Sequence, residues 1–347
     1  MAPILAVSFN DSSNITDFFL NKGNGVKGLP EMGLESLPKE NIQPLEERKC
    51  DTKSCSQNPF PSLACQNGMT LKFLKQSVKL QGNGDSFRLL TIEYLRMLRK
   101  QLISSSGYHL RRRGKYPKEL SPSNNVRFGS NFSPEAEKAL EWKDYLSFMS
   151  PRMRLLRCGL LNQKLLSLKL LDVLMKNLNV TEMDETKESL LLGSKRINLN
   201  YYPICPDPEL TVGVGRYSDV STLTVLLQRD IGGLYVRRDN DSWIHVPLAN
   251  GSIVINVGDA LQIMSNGRYM SIEHCVIANG SDNRISVPIF INPRPSDKIF
   301  LFLKHCPAER RPCIMKFCTG IMPSISSEKH LMGRKTTDVA KIWCHLF

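Results

Sequence analysis

Between Ser194 and Phe300, apolar and polar positions alternate in short runs broken by Gly, Asp, Asn or Pro. RINLNYYP, VGVGRYSD, TLTVLLQ, LYVRR, WIHVP, SIVINVG, ALQIMS, MSIEHCVIA and RISVPIFIN are rich in β-branched and aromatic residues. That is the texture of strands, whose successive side chains face opposite ways. Roughly eight or nine strands of ~5–7 residues at this spacing predict a sandwich or barrel. RISVPIF and SWIHVPLANGS show the alternation expected when one face lines an interior. No internal repeat is visible.

The first half reads differently. Residues 1–49 are polar and turn-rich, an N-terminal arm with short helical pieces. Over 50–113 periodicity is poor, though Leu89, Ile92, Leu95 and Leu98 fall near helical spacing and predict a helix over Phe87–Ile103. Ser133-Pro134-Glu135 is a helix start, with a Ser cap, Pro at the first position and acid in the first turn. Glu141–Phe148 predicts a strand, the leucine-rich segment 154–178 a helix, and Asp184–Leu192 a second helix ending at a Gly-Ser break. The expected organisation is an arm and helical region over 1–193, with 50–113 atypical, a β unit over 194–300, and an atypical tail over 301–347. The fold class is mainly β with flanking α-helices.

At 347 residues the chain can form one large domain or two ordinary ones, and 41% apolar residues suffice for a core. No run approaches the ~18–20 uncharged apolar residues of a membrane span. The N-terminus lacks the basic region of a secretory signal. The expectation is a cytoplasmic protein with no membrane partner. The ten cysteines form no CxxC pair, which speaks against zinc ribbons and thioredoxin-type redox sites and for reduced thiols. The net charge of +13 invites a nucleic-acid reading, but the excess sits in three separate blocks: 51–120, 151–171 and 301–335. With no single basic element, nucleic-acid binding is a remote alternative, and the run Arg111-Arg112-Arg113 reads as a solvated loop.

Candidate chemistry lies in the β half. Asp219 follows a strand, His274 comes about 55 residues later, and Arg284-Ile285-Ser286 follows ten residues on; Asn200-Tyr201-Tyr202-Pro203 lies upstream. Each has a bland reading, since an Asp after a strand is usually a turn residue and a strand His usually a core or surface residue. In that order they fit a metal site at a barrel mouth. Two histidines and a carboxylate hold non-haem iron and leave positions open for a 2-oxo acid and dioxygen. The far carboxylate of such an acid needs a fixed cation, which Arg supplies with two parallel donors.

The segments NYYPICP, GVGRYSDVSTLTVLLQ, GGLYV, WIHVP and VINVGDALQIMSNGRYMSIEHCVIANGSDNRISVPIF closely resemble the plant 2-oxoglutarate/Fe(II)-dependent dioxygenases. NKGNGVKGL, LPKENIQPLEER, NNVRFGSNFSPEAEKALEWKDYLS and MKNLNVTEMDETKESLLLGS are most similar to the feruloyl-CoA 6′-hydroxylase group of coumarin (scopoletin) formation. The resemblance implies a double-stranded β-helix, or jelly roll. It implies Fe(II) as cofactor, 2-oxoglutarate and O2 as co-substrates, and ascorbate in support. The substrate would be a small molecule, a hydroxycinnamoyl-CoA or other phenylpropanoid, hydroxylated on its ring by a monomeric enzyme. Carried over by motif, Asp219 and His274 would hold the metal, and Arg284, Ser286, Tyr202 and Asn200 would hold 2-oxoglutarate. The family's first ligand is the histidine of an H-x-D motif, where this chain reads Tyr217-Ser218-Asp219. His245 does not replace it, because the matching family histidine is not a ligand.

A phenol ionises near ~10 and must lose its proton to bind metal well, whereas neutral imidazole is a ligand at pH 7. The expectation is weakened iron binding and nearly absent hydroxylation, with a catalytically inactive remnant of the family as the alternative. The resemblance also lapses over 50–113, 149–170 and 302–334 and resumes at near-constant length, as paired reading-frame shifts produce. Poor order in 50–113 and 302–334, and aggregation through uncovered apolar surface, are the further expectations.

Overall fold

Two segments show how alternation becomes architecture. In β5 (Ser194–Tyr202) and β12 (Arg284–Asn292), Ile197 and Leu199, and Val287, Ile289 and Ile291, are buried at every second position. A strand turns successive side chains to opposite faces, so each segment presents one apolar and one polar face. In this computed structural model the two strands pair antiparallel, with Ile289 opposite Ile197 and Ser286 opposite Asn200. The structure describes residues 15, 17–21, 24–48, 62–65, 69–73, 126–130, 139–149, 167–168, 170–180, 184–229, 231–237, 242–248, 253–294, 297–299, 302 and 317–318.

Around that pair runs an eight-stranded sheet. Its order is β1 (Ser62–Cys65), β2 (Met69–Phe73), β10 (Ile253–Val257), β7 (Leu223–Gln228), β12, β5, β4 (Asp144–Met149) and β3 (Val126–Gly129). A four-stranded sheet lies opposite, in the order β6 (Val212–Tyr217), β11 (His274–Ile277), β8 (Leu234–Arg237) and β9 (Trp243–His245). A small ladder joins β13 (Lys298–Ile299) to β14 (Phe317–Cys318). Except for β10 with β2, the pairings are antiparallel. The architecture is a jelly-roll core with few helices, the expected mainly-β class.

The outer face of the large sheet carries the main core. Leu146, Phe148, Ile197, Leu199, Val225, Ile255 and Ile289 pack against Leu170, Leu171, Leu174 and Met175 of the helical stretch 170–177, Leu190 and Leu191 of the helix Glu185–Leu192, and Leu261 and Ile263 of the helix Asp259–Met264. Each such side chain contributes ~1.5–3 kcal/mol when taken from water. The helix Glu185–Leu192 starts where expected, with Asp184 as its cap, accepting from the Lys187 amide at 2.8 Å.

One expected strand is a helix. ALQIMS lies in Asp259–Met264 and its C-cap Ser265, not in a strand. The run has no alternation, because all six residues of the helix are buried, and a short apolar run does not distinguish a strand from a buried helix by pattern alone. Gly258 places the turn: a Cβ there would lie 1.8 Å from the Ser221 carbonyl oxygen.

The N-terminal arm is, as expected, a chain of short helical pieces at Gly28–Glu31, Lys39–Asn41 and Leu45–Arg48. Asp144 of β4 ties it down, its carboxylate accepting from the amides of Val26 (2.8 Å) and Lys27 (2.9 Å) and from Ser130 Oγ (2.6 Å). Phe19, Leu29 and Trp142 form a satellite apolar cluster beneath the arm. Within the atypical segment 50–113, β1 and β2 extend the large sheet. The helices expected over Phe87–Ile103 and from Ser133, the run Arg111–Arg113, and the remainder of the atypical blocks lie outside the described residues. Among the described residues no helix is long and apolar enough to cross a membrane.

Candidate active site between the sheets

Tyr217 ends β6 and His274 begins β11, and the two strands pair so that these residues stand directly opposite each other. Their rings stack at 4.2 Å between centroids, tilted by 51°. Two residues beyond Tyr217 the chain leaves the strand, which brings the Asp219 carboxylate to the same place: Asp219 Oδ1 lies 3.7 Å from His274 Nε2. Three side chains at the expected ligand positions therefore meet, contributed by one strand pair and the turn that follows it.

The local sequence holds Asp219 still. Its Oδ2 accepts from Asn256 Nδ2 at 2.6 Å, and its carbonyl accepts from the Asp259 amide at 2.7 Å. Ser218 Oγ donates to Asp259 Oδ2 at 3.0 Å. Asp219 Oδ1 is buried and makes no hydrogen bond. A carboxylate oxygen in that condition is costly unless a cation or donor joins it. His274 Nδ1 donates to the Ile272 carbonyl at 3.1 Å, which turns Nε2 toward Asp219.

Tyr217 changes this corner. Desolvation inside the barrel, and then the neighbouring Asp219 carboxylate, hold its phenol well above the ordinary ionisation range. Near neutral pH it is a neutral hydroxyl and a poor metal donor. Among the described residues, no cluster of three His, Cys, Asp or Glu side chains is placed to hold a metal. Asp219 Oδ1 and His274 Nε2 suit a divalent cation, and the third position does not. The residues present do not fit a facial triad of two histidines and a carboxylate.

The other end of the cleft is cationic. Arg284, 1% exposed, donates from Nε to the Gly232 carbonyl at 2.6 Å and from Nη2 to Gln228 Oε1 at 2.8 Å. Its guanidinium lies over the Tyr202 ring at 4.7 Å, and Nη1 is buried with no hydrogen bond. Ser286 stands between Asn200 of β5 and Gln228 of β7. Asn200, Tyr202, Tyr217, Asp219, His274, Arg284 and Ser286 all line one cleft between the sheets. Every site residue named from the sequence is thus brought together. His245 instead packs against Tyr235 at 5.2 Å and does not line the cleft.

Three supporting residues escaped the sequence reading: Asn256, which orients Asp219, and Gln228 and Gly232, which orient Arg284. Asn256 left a signal, a lone polar residue amid the apolar strand IVINV. Gly232 acts through its carbonyl, which no side-chain pattern can announce.

The chain is similar to known proteins over this region and beyond it. A family model described as the 2OG-Fe(II) oxygenase superfamily matches residues 194–293. The chain is 52% identical over 305 residues to Feruloyl CoA ortho-hydroxylase F6H1-1 of Ipomoea batatas, covering 83% of this chain and 85% of the relative. It is 45% identical to Feruloyl CoA ortho-hydroxylase 2 of Arabidopsis thaliana, over 99% of this chain and all of that one. In fold it is similar to JOX2, solved in complex with 2OG, Fe and JA, with a TM-score of 0.63, 22% identity, and 87% and 93% of the two chains covered.

Proposed function

The chain belongs to the 2OG-Fe(II) oxygenase superfamily, enzymes that work with Fe(II) and 2-oxoglutarate, and from that premise we propose that it is built to hydroxylate the ring of a hydroxycinnamoyl-CoA, in coumarin formation, and that Tyr217 impairs it. The observation that carries this reading is the corner where the Tyr217 ring, stacked on His274, stands at the third donor position beside a buried, unpartnered Asp219 Oδ1. The substrate class follows the names of the relatives.

In this reading Asp219 and His274 are the two remaining metal-holding residues. Arg284, through its free Nη1, receives the far carboxylate of 2-oxoglutarate, with Ser286 and the β5 residues Asn200 and Tyr202 beside it. Were Fe(II) held by Asp219 and His274, it would supply the activation of dioxygen. This chain's own contribution is to orient the co-substrate, hold the Asp219 carboxylate in place through Asn256, and shield the cleft from water. We further read residues 194–300 as the working unit, residues 1–193 as its flanking arm and helical region, and residues 301–347 as a tail. The protein in this reading is a cytoplasmic monomer acting on a small molecule.

The test is to restore histidine. Tyr217→His is expected to raise Fe(II)-dependent succinate release from 2-oxoglutarate by ~100-fold or more, since even outer residues around metal ligands are worth ~10- to 100-fold. Equal turnover by both proteins overturns the reading. A second outcome, iron bound but no substrate hydroxylated by Tyr217→His, would favour an inactive remnant.

A further inference from the structure

The inner face of the large sheet continues beyond the cleft towards its β3 edge, and there it carries two cations with no carboxylate in ion-pair range among the described residues. Directly opposed residues in a sheet share a face. Phe290, Arg196 and Met149 are opposed across β12, β5 and β4. Asn198, Ser147 and Arg127 are opposed across β5, β4 and β3. Asn198 and Arg196 alternate with the core residues Ile197 and Leu199, so they share the face of Asn200 and Tyr202, which line the cleft.

Arg196 is held in place. Its guanidinium lies 4.8 Å from the centroid of the Phe290 ring, and Phe290 itself lines the cleft. Yet the Nε atoms of Arg196 and Arg127 are both buried without a hydrogen-bond partner, as is Asn198 Oδ1. Among the described residues no carboxylate pairs with either guanidinium. Burial pushes the Arg196 guanidinium below its ordinary value; Tyr145, the Asp219 carboxylate and Tyr217 counter this, and the like charge of Arg127 adds a smaller push downward. Met149, 42% exposed, marks this edge as open to solvent. Two guanidiniums with buried, unbonded Nε donors and no carboxylate in ion-pair range among the described residues cost stability as they stand, and such strain is retained where a ligand relieves it.

We propose that Arg127 and Arg196 form a subsite for the acyl oxygens of the aromatic substrate, either the carboxylate of a free hydroxycinnamate or the carbonyl of its thioester. The proposal rests on the substrate class put forward above and names which part of that substrate the far edge of the cleft holds. Planar guanidinium donors suit the oxygens of a carboxyl-derived group. Phe290, shared between the subsite and the cleft, offers its ring to the apolar part of the same molecule. Anchoring the acyl end at Arg127 and Arg196 would direct the aromatic ring inward, toward His274 and Asp219.

The experiment measures binding to the full chain by calorimetry with three probes: ferulate, the N-acetylcysteamine thioester of ferulic acid, and coniferyl alcohol, which keeps the ring but lacks the acyl oxygens. The acid or the thioester is expected to bind ~10- to 100-fold more tightly than the alcohol, the range of a charged hydrogen bond. Arg196→Gln and Arg127→Gln are each expected to remove most of that preference while leaving the alcohol's affinity within about twofold. Both variants are also expected to melt at or above the temperature of the parent, because a guanidinium with a buried, unbonded donor and no ion pair has been removed; a purely structural arginine would lower it. Tighter binding of the acid identifies a carboxylate ligand, and equal or tighter binding of the thioester identifies the carbonyl. If the three probes bind alike, or if the variants keep the preference, the subsite is overturned. If no probe binds, the proposed substrate class falls with it.

Discussion

The two faces of the large sheet are made by the same strands and obey opposite rules. On the outer face, Ile197, Leu199, Ile289, Ile291, Val225 and Ile255 are at most 7% exposed and are packed under helices. On the inner face, one residue away along each strand, stand Arg196, Asn198, Asn200, Arg284, Ser286 and Asn256. Several polar atoms there have no partner: Arg196 Nε, Asn198 Oδ1, Asn256 Oδ1 and Arg284 Nη1. The outer face gains free energy from every contact it makes, and the inner face leaves donors and acceptors unmet. The strand's period of two lets one stretch of chain do both, stabilising with odd positions and holding unsatisfied chemistry with even ones. Unmet groups persist only because the opposite face over-determines the backbone that carries them.

The largest expected effect tests whether the inner face is one substitution from competence. Tyr217→His should raise 2-oxoglutarate turnover by ~100-fold or more, with no change in melting temperature beyond a few degrees. Arg284→Gln comes next. It should weaken 2-oxoglutarate binding by roughly 30- to 1,000-fold, the cost of losing one partner of a buried ion pair, as read by calorimetry. If affinity is retained, Arg284 is not the anion's anchor.

The outer face should answer in stability. Ile255→Ala, at 1% exposure in the main core, should lower the unfolding free energy by about 2–5 kcal/mol in denaturant titration. A change below ~1 kcal/mol would mean that the helices cover the sheet loosely. Between the faces lies Asn256→Ala. By releasing Asp219 Oδ2 it should reduce metal affinity of the Tyr217→His protein by ~10-fold while leaving the core packing intact. The smallest effect concerns Cys205, whose thiol burial pushes up to about 12. It should resist alkylation at pH 8 until the protein unfolds. Since its ionisation lies higher in the folded than in the unfolded chain, the stability it contributes is complete below about pH 9 and is lost as pH rises towards 12.

Much of this was legible in the chain itself. RINLNYY and RISVPIFIN declare by alternation alone that they are strands with one apolar face, because a half-buried sheet imposes a period of two. Asp219, His274, Arg284, Ser286, Asn200 and Tyr202 could be named in advance as candidates, because the order of their motifs resembles that of a known dioxygenase family. The sequence also determined the departure at Tyr217, since a phenol and an imidazole differ in proton affinity wherever they are placed. What it could not determine was anything depending on who stands opposite whom. That Tyr217 stacks on His274, that Asn256 restrains Asp219, and that ALQIMS coils rather than extends are decided by strand register and by Gly258 against Ser221. Arg127 and Arg196, 69 residues apart in the numbering, read as ordinary strand residues until β4 is set between them. Local pattern specifies which face a side chain takes, and pairing over long sequence separations specifies its neighbours there. Only the second kind of information brings these two guanidiniums onto one face, on either side of β4.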